Sequence, residues 1–233
     1  MSYDAKFYKS IDDGSISSAE RIIPVLLKLF RPKSVIDVGC GMGSWLNVAK
    51  KNGIKKVVGI DGDYIDKSLL HINENEFIVK DLRKEIVINE SFDLALCLEV
   101  GEHIPKKDAH ILVKSLSNLS SIILFSAALP GQGGNNHINE QWPEFWESLF
   151  LKFNFLKIDI IRKEIYKDDK IEWWYRQNVV LFVKKDLVKK FNLENNEMCS
   201  DMLFIHKSLL KKNYGIKNVI KTTTKKLLPK FDF

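Results

Sequence analysis

The sequence predicts an α/β fold built on a mostly parallel sheet with helices on both faces. Three observations carry this expectation. From residue 34 onward, short β-branched or apolar runs alternate with longer amphipathic stretches. The first such run passes directly into three alternating glycines, Gly39, Gly41 and Gly43. Aspartates recur at or just beyond the ends of successive runs, at Asp37, Asp61 and Asp81. Alternation of strand and helix is the pattern of a parallel sheet. Open sheets of this kind bind ligands beyond the C-terminal ends of their strands, so the acids and glycines mark one prospective ligand edge.

The elements follow in order. Residues 16–30 carry helical periodicity and lead into the first strand, 34–38. Residues 44–51 read as a helix with Trp45, Leu46, Val48 and Ala49 as its apolar positions. Strands are predicted at 56–60, 77–79 and 92–98, followed by a helix over 107–119 with Ile111, Leu112, Leu116 and Leu119 near one face. A fifth strand covers 121–126 and a helix covers 143–153. Two further runs, 155–161 and 179–184, predict strands that add an antiparallel edge to the parallel sheet. Beyond 185 the chain is rich in Lys and Asn, with Met198, Met202, Ile205, Leu209 and Leu210 at helical spacing.

At 233 residues and about 150 residues per domain, the chain divides into an N-terminal helical cover (1–30), a main domain (31–185) and a basic helical extension (186–233). An apolar content of 45 % excludes disorder along the whole chain. No apolar run approaches the roughly 18 residues of a membrane span, and the polar start lacks a signal layout. Three cysteines far apart, Cys40, Cys97 and Cys199, exclude a disulfide scaffold or zinc ribbon and suit a reducing cytoplasm. The net charge of +6 lies wholly beyond residue 184; the main body is balanced. A nucleic-acid enzyme more often carries its positive field on the catalytic face, so a nucleic-acid partner is not expected. A homodimer formed through the C-terminal segment is compatible with the extension.

The glycine turn narrows the ligand. Glycines permit positive φ and lack a Cβ, so a ligand can lie against the backbone, and the following helix offers free N–H groups. Dinucleotide folds place their glycines as G-x-G-x-x-G. Here the third glycine comes one residue early and Ser44 takes its place. A carboxylate two residues before the first glycine repels pyrophosphate and suits an ammonium group. Asp61 closes the second strand, where an acid can accept two ribose hydroxyls, and Asp81 is placed to accept from an adenine amino group.

With these residues in place, the chain over about 30–184 resembles the class I S-adenosylmethionine-dependent methyltransferases, and the segment from Cys97 to Pro105, C-L-E-V-G-E-H-I-P, is similar to their fourth-strand motif. The resemblance implies a Rossmann-like, seven-stranded sheet with its last strand antiparallel. It implies S-adenosylmethionine as cofactor, with Asp37, Gly39, Gly41 and Gly43 around the methionine portion, Asp61 on the ribose and Asp81 on the adenine. Cys40, Trp45, Gly62 and Leu82 complete that cofactor wall, and Glu99 lies near the sulfonium side.

Methyl transfer from a sulfonium needs mainly alignment, and an alcohol acceptor also benefits from a base. His103 follows the fourth strand and His137 lies in the glycine-rich loop after the fifth, so both are candidate catalytic bases. The bland alternatives are a helix cap for His103 and a loop brace for His137. Glu99, Glu102 and His103 form E-x-x-E-H, a set able to present carboxylates and an imidazole to a cation. Some quinone-pathway O-methyltransferases resemble it and bind a divalent ion, but metal-free relatives share it, and no metal is expected. Asn139, Gln141 and Trp142 of the polar loop, with Arg176, are candidates for acceptor contact.

The fourth strand lacks the tetrad that stacks an extruded base. The H-x-N-x-Q-W stretch resembles small methyltransferases of bacterial surface-polysaccharide pathways. The expected function is O-methylation of a sugar, a nucleotide-linked precursor or a phosphate-type (including phosphoramidate) oxygen in capsule assembly. RNA or protein methylation through the basic extension, and a non-catalytic cofactor-binding partner subunit, are the alternatives.

Overall fold

The computed structural model describes residues 5–194. A long helix, α1 (Ala5–Phe30), opens the chain, and β1 (Ser34–Val38) and α2 (Ser44–Lys51) follow. Next come β2 (Lys56–Asp61), β3 (Phe77–Val79) and β4 (Leu94–Leu98). The helix α3 (Ala109–Leu119), strand β5 (Ile122–Ser126), helix α4 (Pro143–Leu151) and strand β6 (Phe155–Ile158) continue the alternation. Two short helices, α5 (Ile161–Ile165) and α6 (Trp173–Asn178), precede β7 (Val180–Lys184) and α7 (Lys185–Lys190).

The seven strands form one sheet in the order β3-β2-β1-β4-β5-β7-β6. β7 is antiparallel to both of its neighbours, β5 and β6, so the other six strands run parallel. The last strand is therefore the antiparallel one, as the resemblance implied; only the expectation of an antiparallel edge changes, because β7 is inserted next to the edge strand β6. The residues explain the placement. The run Val180-Leu181-Phe182-Val183 is buried on both faces, as an interior strand requires. β6 instead carries Lys157, whose ammonium donates to Glu147 on α4 at 2.5 Å, and a paired lysine blunts an open edge.

Period-two alternation sorts the side chains into two cores. Val35, Val57, Leu94, Leu96, Leu124 and Leu181 face α1 and α2. Ile36, Ile60, Ala95, Cys97, Ile123 and Phe182 face α3 and α4. β4 shows the rule most plainly, since all five of its residues are buried and they alternate between the two cores. Aromatics concentrate on the second face. Phe150 and Phe182 stack at 3.8 Å between centroids, and Phe125 meets both edge-on at 5.5 and 5.9 Å.

Several element boundaries differ from the sequence expectations by one or two residues, and the larger departures are these. The first helix begins at Ala5 rather than 16. The strand expected over 92–98 begins at Leu94, with Phe92 making only an isolated bridge to Ser120. The strand expected over 155–161 stops at Ile158, because the buried Asp159 carboxylate takes the Arg162 guanidinium and turns the chain into α5. The aromatic stretch from Trp173 is helical. The apolar positions from Met198 to Leu210, and with them most of the basic extension, lie outside the described residues. No helix among the described residues is long and apolar enough to cross a membrane.

Phe182→Ala removes a fully buried ring from both the stack and the sheet. It is expected to cost about 3–5 kcal/mol in urea denaturation, with the midpoint falling and the slope unchanged.

Candidate functional site

The C-terminal ends of the parallel strands open onto one cleft of about 1360 Å³. Its floor is the turn between β1 and α2. Gly39, Gly41 and Gly43 all have positive φ, and the turn is held by Gly39 and Cys40 donating to the Ile60 carbonyl at 2.7 and 3.2 Å. Gly39 is demanding: a Cβ there would sit 2.2 Å from Val100 Cγ2. At Gly41 a Cβ would meet nothing within 4 Å, because that position faces open space. The turn is clamped from outside by His71, whose backbone N–H donates to the Met42 carbonyl at 2.8 Å.

Asp37, on β1, is 2 % exposed and lines the cleft. Burial and then the charge on Asp61 push its carboxyl up to about 7, and no hydrogen bond offsets them. A buried carboxylate without a donor is costly, so this position calls for a cation. Asp61, at the end of β2, is differently placed. Its Oδ2 accepts from the Gly41 N–H at 2.7 Å, and its Oδ1 from the Gly62 N–H at 2.7 Å and the Tyr64 hydroxyl at 2.5 Å. Asp81 lies at the far side of the cleft, gripped bidentately by Arg83 at 2.8 and 2.9 Å. The guanidinium and the Arg83 backbone N–H hold its carboxyl down at about 2.

Across the cleft floor, Glu99 follows β4 with a φ of +54°. This left-handed turn aims the side chain into a cage of amides. Asn178 donates to Oε1 and Gln132 to Oε2, each at 3.0 Å. Burial raises the Glu99 carboxyl, although these amides and Ser126 oppose the shift. Glu102, one turn on, is fully buried, and neither carboxyl oxygen finds a hydrogen-bond partner. Burial, then the neighbouring charge of Glu99, raises its carboxyl well above the usual range.

Two imidazoles meet above Glu102. His103 and His137 are edge to face with centroids 5.0 Å apart. Desolvation and the proximity of His137 lower the His103 imidazole below its usual range, so it is neutral at pH 7. His137 is oriented by Glu140, whose Oε1 lies 3.0 Å from Nδ1. The same carboxylate accepts from the backbone N–H groups of Gly131 and Gly133 at 2.7 and 2.5 Å. Glu140 thus folds the glycine loop around itself. Burial opposes its ionisation, but the His137 bond and these two amides outweigh that and lower its carboxyl. Sequence reading assigned Glu140 no role; its position three residues after a loop histidine was the available signal.

Most of the anticipated residues come together here. Asp37, Gly39, Cys40, Gly41, Trp45, Asp61, Gly62, Asp81, Leu82, Glu99, His103 and His137 all line the one cleft. Gly43 caps α2 beneath it. The four anticipated acceptor contacts are placed otherwise. Asn139 is buried and donates to the Gly101 carbonyl at 3.2 Å, Gln141 donates to Asn139 at 3.0 Å, and both therefore brace the loop. Trp142 is 47 % exposed at the start of α4. Arg176 lies on α6 with its Nε buried. None of the four is on the cleft wall.

Gly39→Ala and Gly41→Ala share the penalty of a positive φ, about 1–2 kcal/mol. Only the first adds a collision with Val100, so its thermal midpoint is expected to fall further than that of Gly41→Ala in calorimetric scans.

Comparison with known proteins gives a consistent answer. Residues 15–178 match the family described as Methyltransferase domain. Two curated relatives are ubiquinone biosynthesis O-methyltransferases. The one from Neisseria meningitidis is 33 % identical over 99 residues, covering 38 % of this chain and 40 % of the relative. The one from Glaesserella parasuis is 32 % identical over 98 residues, covering 37 % and 40 %. The matches thus span about two fifths of those relatives' length. Among solved structures, the sugar N-methyltransferase KedS8 from Streptoalloteichus superposes with a TM-score of 0.60 at 11 % identity, covering 79 % of this chain and 96 % of that one. Magnesium protoporphyrin IX methyltransferase from Synechocystis with bound SAM gives 0.53 at 18 % identity, covering 79 % and 87 %. At such identities the likeness is one of fold. The family match covers well over half of the chain, and together with the seven-stranded sheet and its glycine-floored cleft it places the protein: the chain belongs to the methyltransferase-domain family.

Proposed function

We propose that the protein is an S-adenosylmethionine-dependent O-methyltransferase. The observation that carries this reading is Asp37: a buried carboxylate beside the glycine turn, lacking a donor, suits the ammonium of an amino-acid cofactor and rejects a pyrophosphate. S-adenosylmethionine when bound supplies a methyl group already activated on a sulfonium. The glycine turn and the start of α2 would take its carboxylate, Asp61 its ribose hydroxyls, and Asp81 with Leu82 its adenine. Glu99 would face the sulfonium side, held in place by Asn178 and Gln132.

For the acceptor we propose a sugar, a nucleotide-linked precursor or a phosphate-type oxygen of surface-glycan assembly. The polar loop residues 132–137 on the cleft wall and the fold shared with a sugar N-methyltransferase support this. Catalysis then rests on alignment by the cleft and on the neutral imidazole of His103 beside His137. A second reading is a ring hydroxyl of a quinone precursor, favoured by the local identity to the ubiquinone O-methyltransferases. Turnover of labelled donor with panels of nucleotide sugars, capsule precursors and dihydroxylated aromatics separates the two. No methyl incorporation into any of them would remove both.

The cofactor half has its own test. Ionised Asp37 binds the ammonium, so a bound cation lowers its pKa from about 7. Affinity for S-adenosylhomocysteine is therefore expected to rise up to about tenfold per pH unit below 7 and to level off above it. Calorimetry near pH 6 in buffers of different ionisation heat should detect a proton released on binding. Asp37→Asn is expected to weaken binding and abolish this pH dependence. Its ligand-free stability works the other way. A raised folded-state pKa costs stability as pH climbs from about 4 through 7, so the Asn variant should unfold at a higher temperature than the parent at pH 8.

A further inference from the structure

Within the described residues Asp61 accepts three hydrogen bonds. Oδ2 accepts from the Gly41 N–H at 2.7 Å, and Oδ1 accepts from the Gly62 N–H at 2.7 Å and the Tyr64 hydroxyl at 2.5 Å. A carboxylate offers about four lone-pair sites, so about one remains, on Oδ2. The two hydroxyls of a ribose need two. The Gly41 donor belongs to the glycine turn and the Gly62 donor to the next residue of the chain, so neither withdraws without refolding the floor of the cleft. Tyr64 alone of the three donates from a side chain. Its ring lies against Gly62, where a Cβ would stand 2.1 Å from Cε1 and 2.6 Å from Cδ1. The bare backbone at Gly62 thus lets the hydroxyl reach back to Asp61. Tyr64 lines the cleft and is 68 % exposed, so core packing does not fix it, and exposed rotamers exchange within picoseconds to nanoseconds.

We propose that Tyr64 is a movable stand-in for one ribose hydroxyl: its own hydroxyl fills a site on Asp61 that the nucleoside needs, swings out as the cofactor enters, and returns as the product leaves. The proposal rests on the transferase reading, which puts the ribose at Asp61. Its physical reason is the burial of the acid. Asp61 is 4 % exposed, and a buried carboxylate oxygen stripped of donors is costly. Tyr64 supplies the donor whenever the nucleoside does not, so the product departs without leaving that cost behind. A ligand with both hydroxyls exchanges the Tyr64 bond for one of its own, and the second hydroxyl adds little affinity. A ligand with one hydroxyl takes the remaining lone pair and leaves Tyr64 in place. Without the Tyr64 hydroxyl, the second ribose hydroxyl gains a full hydrogen bond to a charged group and displaces nothing.

The test is a cycle of protein and ligand changes. The full chain and its Tyr64→Phe variant are titrated by calorimetry with S-adenosylhomocysteine and with the 2′-deoxy and 3′-deoxy forms of that ligand. Tyr64→Phe is expected to bind S-adenosylhomocysteine about tenfold more tightly, with the gain appearing as slower release in displacement experiments. With at least one deoxy form the gain is expected to be less than about twofold. Weaker binding of S-adenosylhomocysteine by Tyr64→Phe would overturn the proposal, because a tyrosine that stays in place and aims Asp61 gives that sign. An unchanged affinity, or an equal gain with all three ligands, would overturn it as well. In each of these cases binding by the parent leaves the transferase reading standing. If the parent binds none of the three ligands, that reading falls and the stand-in falls with it.

Discussion

A carboxylate buried in the sheet without a donor is the constraint around which this molecule is arranged. Asp37 occupies a strand position whose neighbours on the same face, Val35 and the leucines of β4, are core residues. Hydrophobic burial holds it there at an electrostatic cost that the folded chain alone does not relieve. The nearby acid Asp61 adds to that cost, yet its own oxygens are turned to the Gly41 and Gly62 amides. One acid thereby shapes the turn, and the other lies buried beside the cleft with its carboxyl raised.

The rest of the cleft is built by a different device. Strands position Asp37 and Asp61, whereas the opposite wall is a set of loop side chains that hold one another. Glu99 is caged by amides from residues 132 and 178, and the backbone N–H groups of Ile138 and Asn139 donate to the Glu102 carbonyl at 2.9 and 3.0 Å. Those bonds fasten the glycine loop to the end of β4. His137 consequently faces His103 across 34 residues of sequence through main-chain geometry, and Glu140 sets the direction of its ring.

How much of this was visible in the residues alone varies with the range of the interaction. Strands, helices and the glycine turn were legible because their signals are local: period two, period 3.6, and positive-φ glycines after a β-branched run. That the acids and glycines gather at one cleft was legible for the same reason, since they lie in or just beyond the ends of successive strands. The loop was legible only as polar. Asn139 and Gln141 have the chemistry of acceptor contacts but are used as braces, and nothing in their spacing separates the two uses. Glu140 was missed because two of its three partners are backbone amides, which carry no residue signature, and only His137 three residues before it gave a local cue. The inserted position of β7 was missed because strand order is decided by pairing between distant segments, and a run buried on both faces indicates only that the strand is interior.

That strand order bears on how the protein is made. β6 has no sheet neighbour other than β7, so when residues 155–158 leave the ribosome they have nothing to pair with. At about 5–20 residues per second the interval before residue 184 is synthesised lasts seconds. Until then the edge of β5 that β7 will cover is unpaired, and an unpaired apolar edge is open to other strands. The last strand works as a keystone: without it the sheet loses two strands, not one, because β6 has no other neighbour.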